Sequence, residues 1–174
     1  MAWGLYSSCC SASSLKCACD MKVSEHFSLE ELTKSQTGER LGIDNLPSDA
    51  QLASLTLLCE KVLEPIRAHY GRPVTISSGY RGPALNKAVG GAATSQHCKG
   101  EAADIEIAGV ANNDLANWIE INLDYDQLIL ECYKRGVPDS GWVHVSYKTA
   151  DNREQELTAS VVGGKMTYAP GINS

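Results

Sequence analysis

The stretch Ser95-Gln96-His97-Cys98-Lys99-Gly100-Glu101-Ala102-Ala103-Asp104, together with Trp142-Val143-His144-Val145-Ser146, constrains the fold more than anything else in the chain. Zn2+ takes neutral imidazole nitrogen and carboxylate oxygen readily, and two histidines with one aspartate make a three-ligand set. Three protein ligands leave a fourth tetrahedral position open to water, the arrangement of catalytic rather than structural sites. His97 and Asp104 are seven residues apart with Gly100 between them. That spacing does not suit adjacent turns of one helix, so the helical H-E-x-x-H pattern is excluded. It suits a loop that turns at Gly100 and enters a strand at Ala102-Ala103-Asp104-Ile105-Glu106-Ile107.

Val143-His144-Val145 alternates and predicts a second strand. Trp142, His144 and Ser146 then share one face, and Val143 and Val145 the other. A lone histidine is more often a surface or hydrogen-bonded core residue than a ligand. It is the joint pattern S-x-H-x-x-G-x-A-x-D plus W-x-H-x-S that singles out His97, Asp104 and His144.

On these residues the chain resembles the M15 family of zinc D-Ala-D-Ala carboxypeptidases, in particular its small phage and bacterial branch. Ser95, His97, Gly100, Ala102 and Asp104 match one signature; Trp142, His144 and Ser146 match the other. The runs Ser77-Ser78-Gly79-Tyr80-Arg81-Gly82 and Leu85-Asn86-Lys87-Ala88-Val89-Gly90-Gly91 are also similar. The resemblance extends from about Val23 to about Thr158. It implies zinc on His97, Asp104 and His144, a substrate carbonyl or carboxylate held by Arg81, and a hydrogen bond from Ser95 nearby. Arginine suits that task because its planar fork pairs two ways with an oxyanion. Read without the family, Arg81 is a surface turn residue.

A zinc peptidase needs a carboxylate to take a proton from water and pass it to the leaving amine. Several members of the family place an acid three positions before the last histidine ligand; here that position is Gly141. Two candidates remain, Asp139 and Glu131. A hairpin of Tyr125–Tyr133 with Trp142–Lys148, with Tyr133 opposite Trp142, would put Glu131 directly opposite His144. Opposed β-carbons lie about 5 Å apart, which favours Glu131. A slip of one residue would turn it to the other face, and a carboxylate that merely orients a histidine ligand is the alternative role.

At 174 residues the chain has enough length for one domain with a proper core. A net charge of −6 gives no basic footprint for nucleic acid. No apolar run approaches the length of a membrane-spanning helix, so no membrane partner is expected. The first residues lack a basic start, and serines interrupt every apolar run, so no signal peptide is recognisable. Four of the seven cysteines fall there, at Cys9, Cys10, Cys17 and Cys19, in a spacing that matches no trusted zinc pattern. Cys59, Cys98 and Cys132 are an odd remainder and define no complete disulfide framework. Cys98 is read as a packing residue.

Ser28-Leu29-Glu30-Glu31 and Ser48-Asp49-Ala50-Gln51 are capping boxes that start helices, with a polar loop between them ending at Pro47. Leu52, Leu55, Cys59, Val62, Leu63 and Ile66 recur at helical spacing and predict one buried face, which Pro65 should kink or break. A strand at Val74–Ser77, helices at Pro83–Val89 and Leu115–Ile121, and an edge strand at Glu156–Val162 complete the expectation. The expected organisation is a disordered or non-native segment 1–21, a peptidase domain 22–162 and a loose tail 163–174. The expected fold class is α+β, an antiparallel sheet with helices packed on one side, which the resemblance makes hedgehog/DD-peptidase-like. The resemblance further implies a monomer acting on peptidoglycan peptides, at the bacterial cell wall or in a phage particle. The rivals are a non-catalytic zinc-binding module and a virion structural module of the same fold.

Overall fold

A computed structural model describes residues 21–173. The segment expected to be disordered, and its four cysteines, lie outside these residues apart from Met21. The helices are α1 (Leu29–Thr33), α2 (Gln36–Leu41), α3 (Asp49–Leu58), α4 (Glu64–Tyr70), α5 (Pro83–Ala88) and α6 (Asn112–Asn122). The strands are β1 (Thr75–Ser78), β2 (Ala102–Glu106), β3 (Gln127–Glu131), β4 (Trp142–Ser146), β5 (Gln155–Val162) and β6 (Lys165–Pro170). They form one six-stranded sheet in the order β1-β2-β4-β3-β5-β6. No helix among the described residues is long and apolar enough to cross a membrane.

Both capping boxes form. Glu31 Oε2 accepts from the Ser28 N–H at 2.9 Å, and Gln51 Oε1 accepts from the Ser48 N–H at 2.8 Å. Each interaction satisfies a backbone donor that a helix start would otherwise leave orphaned. The loop expected before Pro47 contains α2, capped by Ser35 Oγ on the Gly38 N–H. The break expected at Pro65 takes the form of a π turn, Cys59–Leu63, between α3 and α4. The widened turn accommodates a residue that cannot donate to the helical ladder.

The strand alternation decides which face is core. Ala103 and Ile105 of β2, Leu128 and Leu130 of β3, and Val143 and Val145 of β4 are fully buried in one apolar cluster. They meet Leu32 of α1, Leu55 and Leu58 of α3, Ile66 of α4, and Leu115 and Ile119 of α6. The opposite face of the same three strands carries Asp104, His144 and Glu131.

Three expectations about the sheet are corrected. First, β4 pairs with β3 so that Glu131 faces Trp142, and it is Ile129 that faces His144. The expected register was off by two residues. Cys132 adopts a left-handed conformation (φ 55°) and ends β3 after Glu131. Gly141 (φ 70°) closes the hairpin, and a β-carbon there would overlap the Glu131 carbonyl. Second, the sheet is not wholly antiparallel: β5 runs parallel to β3 and is internal. Third, the tail expected to be loose from residue 163 forms the edge strand β6, paired with β5 from Leu157↔Pro170 to Val162↔Lys165. Gly163 and Gly164 both have positive φ, which a tight two-residue hairpin turn requires.

Candidate metal centre and cleft

Three elements deliver the predicted ligands to one point. Asp104 and His144 are direct partners in the β2–β4 ladder. His97 comes from a 3-10 turn, Gln96–Lys99, immediately before β2. His144 Nδ1 lies 2.9 Å from Asp104 Oδ1, His97 Nε2 lies 3.3 Å from the same oxygen, and the two nitrogens are 3.2 Å apart. All three residues are buried, with relative exposures of 2% for His97, 8% for Asp104 and 7% for His144.

This triangle has the size of one face of a zinc tetrahedron. Bonds of about 2.0–2.1 Å at tetrahedral angles place ligand atoms roughly 3.3 Å apart. The donor chemistry agrees. His97 Nδ1 lies 2.7 Å from the Gly79 carbonyl oxygen, which can only accept. The proton therefore sits on Nδ1, and Nε2 turns its lone pair toward Asp104 and His144; such a backbone carbonyl on the far nitrogen is what orients metal-binding imidazoles. Burial lowers the His97 pKa, favouring the neutral ring that a metal needs. Burial alone would raise the Asp104 carboxyl, but His144, whose Nδ1 lies 2.9 Å away, outweighs it and holds Asp104 well below the usual carboxylate range. Among the described residues, no other group of three or more such side chains converges in this way.

The triad forms part of the wall of a cleft of about 730 Å³. Arg81 and Ser95, both expected at the site, line it, as do Glu131 and Trp142. Arg81 Nη1 donates to Ser78 Oγ at 3.0 Å and lies 3.8 Å from Asp104 Oδ2. Its Nε is buried with no hydrogen-bond partner among the described residues. Asp139 does not line this cleft; it borders a separate depression beside Glu106 and Asn112. Cys98 is a half-buried free thiol outside the triad. His26 contacts Glu64 of α4 at 2.7 Å.

Glu131 keeps the face expected of it, because a shift of two residues preserves the alternation. It is diagonal to His144, at a β-carbon separation of about 7–8 Å for such pairs, within reach of a long side chain. Burial raises its pKa, and the Asp104 charge adds to the effect. Gly141, which stands where an acid was expected, touches the backbone of β3 too closely for any side chain.

The remaining cleft residues were not anticipated. Tyr168 of β6 stands in line with Glu131 across Ala159. The Gly163-Gly164 pair between two alternating runs was the available signal for its hairpin. Gln96, Asp126, Lys148 and Arg153 line the other end. Nothing in their sequence spacing marks them, since a non-local crossover brings them together.

An α+β domain with a His-Asp-His cluster in the wall of a cleft is thus the class that fold and site define. Residues 25–146 match the family model of peptidase M15, and the chain belongs to that family. M15 peptidases are generally zinc-dependent. No curated protein matches the chain.

Proposed function

We propose that the chain is a zinc metallopeptidase that hydrolyses a peptide bond in peptidoglycan stem peptides or cross-links. The observation that carries this reading is the triangle of His97 Nε2, Asp104 Oδ1 and His144 Nδ1, sized for zinc and set in a cleft that Glu131 and Arg81 also line. Zinc held there supplies Lewis acidity toward a carbonyl oxygen and acidifies water.

The protein side chains supply the rest. Glu131, ionised and partly desolvated, takes the proton from the attacking water and returns it to the leaving nitrogen. Its raised pKa moves it toward neutrality and makes it a better base than an exposed carboxylate. Arg81 offers its guanidinium N–H groups to the developing oxyanion or to a substrate carboxylate, and Ser95 hydrogen-bonds beside it. The small phage-type branch and the hedgehog/DD-peptidase fold belong to the same proposal, on the strength of the signatures around His97 and His144. D-Ala-D-Ala and L-Ala-D-Glu bonds are the proposed targets.

The test is to incubate the zinc-loaded protein with muropeptides containing each bond, with and without chelator, beside Glu131→Gln. Cleavage that chelator abolishes and that Glu131→Gln reduces by about 10²–10⁴-fold supports the reading. Cleavage that survives chelation rules out the zinc mechanism. Stoichiometric zinc with no cleavage of any muropeptide supports the rival, a metal-binding module. Gly141 at the position of the usual acid is the feature that favours that rival.

A further inference from the structure

The cleft is electrostatically lopsided. At the end away from Trp142 and Glu131, Asp126 is only 1% exposed. Lys148 Nζ reaches its Oδ1 at 2.7 Å, and Arg153 Nε lies 3.1 Å from both carboxylate oxygens. Gln96 Nε2 donates to Oδ2 at 3.0 Å. One carboxylate thus holds two cations, and the surplus charge is positive. Lys99, three residues beyond Gln96, lines the same cleft and joins no ion pair among the described residues.

The donors are not exhausted. Arg153 Nη1 and two of the three ammonium protons of Lys148 make no hydrogen bond among the described residues. Asp126 fixes both cations in place, so little side-chain entropy is lost when they meet an anion. The whole chain carries −6, which makes a positive end inside this cleft a local feature, not a consequence of composition.

We propose that Lys148 and Arg153, braced by Asp126, form a subsite for a carboxylate of the peptide substrate, away from the bond that is cut. This rests on the peptidase reading and deepens it. Lys148 lies four residues past His144 on the same segment. Asp126 lies three residues before Ile129, the ladder partner of His144, and extended chain advances about 3.3 Å per residue, so the subsite lies roughly 10 Å along the cleft from the metal centre. A peptide extended along β4 therefore presents its carboxylate roughly two to four residues from the scissile bond. Such a group is either an acidic side chain or the terminal carboxylate; both offer the same bidentate anion.

The experiment measures binding apart from turnover. Zinc-loaded Glu131→Gln protein, with and without Lys148→Met, is titrated calorimetrically with three peptides of one sequence. The first carries an acidic side chain and a free C-terminus. The second has Gln in place of the acid, and the third has an amidated C-terminus. The expected result is about tenfold tighter binding of the first peptide than of one of the other two, a preference that Lys148→Met removes. Whichever neutralised peptide binds more weakly identifies the carboxylate. Lys148→Arg is expected to retain the preference, which a purely structural role for Lys148 does not require. Equal binding of all three peptides, no binding of any, or an equal loss for all three in Lys148→Met would overturn the subsite. Binding with the expected preference, but no cleavage by the Glu131-containing protein, would count against the peptidase reading alone.

Discussion

The two faces of β2, β3 and β4 are made by the same backbone and do opposite work. On one face Ala103, Ile105, Leu128, Leu130, Val143 and Val145 are completely buried against the helices. On the other, Asp104 and His144 sit side by side, with Glu131 diagonal to His144. The apolar face gains stability from every contact it makes. The polar face spends some of it, because it gathers an aspartate, two imidazoles and a second carboxylate where water is scarce. Substitutions on the two faces should therefore separate function from stability.

The largest effect is expected on the polar face. His97→Ala removes one corner of the ligand triangle. It should abolish stoichiometric zinc binding and lower kcat/KM on any cleaved peptide by about a thousandfold or more, a barrier change of roughly 4 kcal/mol. Zinc content by elemental analysis and turnover on the same sample check it. Full zinc occupancy in this variant would show that His97 is not a ligand. On the apolar face, Leu130→Ala should cost about 2–5 kcal/mol of unfolding free energy through the cavity it leaves. The folded fraction should still bind zinc one to one. Denaturant titration beside zinc analysis separates the two outcomes, and loss of zinc from folded Leu130→Ala would break the division between the faces.

A smaller effect is expected where the polar face meets the crossover from β4 to β5. That loop passes the start of β3, and Lys148 and Arg153 pin it to Asp126. Burial acts to raise the Asp126 carboxyl, but hydrogen bonds from Arg153 and Lys148 outweigh it and bring it down to about 2. A depressed carboxylate pKa stabilises the fold above the ordinary value of 3.8 and loses that contribution as pH falls toward 2. Asp126→Asn should therefore cost roughly 2 kcal/mol near neutral pH. Its deficit relative to wild type should shrink steadily between pH 4 and pH 2. A deficit independent of pH in chemical denaturation would mean that packing, not charge, holds the loop.

The same contrast explains what was legible in the sequence. The buried stripe of α3 and the valines of β4 follow from periodicity alone, and the capping boxes from local chemistry. His97, Asp104 and His144 were legible because their residue types and spacing admit few other uses. The face of Glu131 was legible because alternation has period two. Its partner was not, because register depended on the left-handed turn at Cys132 and the close approach of Gly141, which no hydrophobic pattern encodes. The parallel pairing of β5 with β3 and the cation pair on Asp126 arise from a crossover fixed by long-range contacts. Tyr168 was hidden for a different reason: β6 is an edge strand whose six residues are all exposed, and no core face marks it.

The smallest effect on stability is expected at Glu131, and its sign runs opposite to the others. Burial and the Asp104 charge raise the Glu131 pKa above its ordinary 4.5. A carboxyl raised in the folded state favours folding below its unfolded value and loses that contribution as pH rises through the folded value. In the metal-free protein at pH 7 the ionised Glu131 is thus a net cost. Glu131→Gln, which keeps the shape and removes the charge, should be more resistant to unfolding than the wild type while losing the activity proposed for it. At pH 4 the carboxyl of the wild type is largely protonated and the advantage should vanish. Thermal unfolding of both proteins in chelator, at pH 4 and pH 7, reads this directly. A Glu131→Gln protein less stable than wild type at pH 7 would place Glu131 among the structural residues of the sheet and return the search for the base to the rest of the cleft.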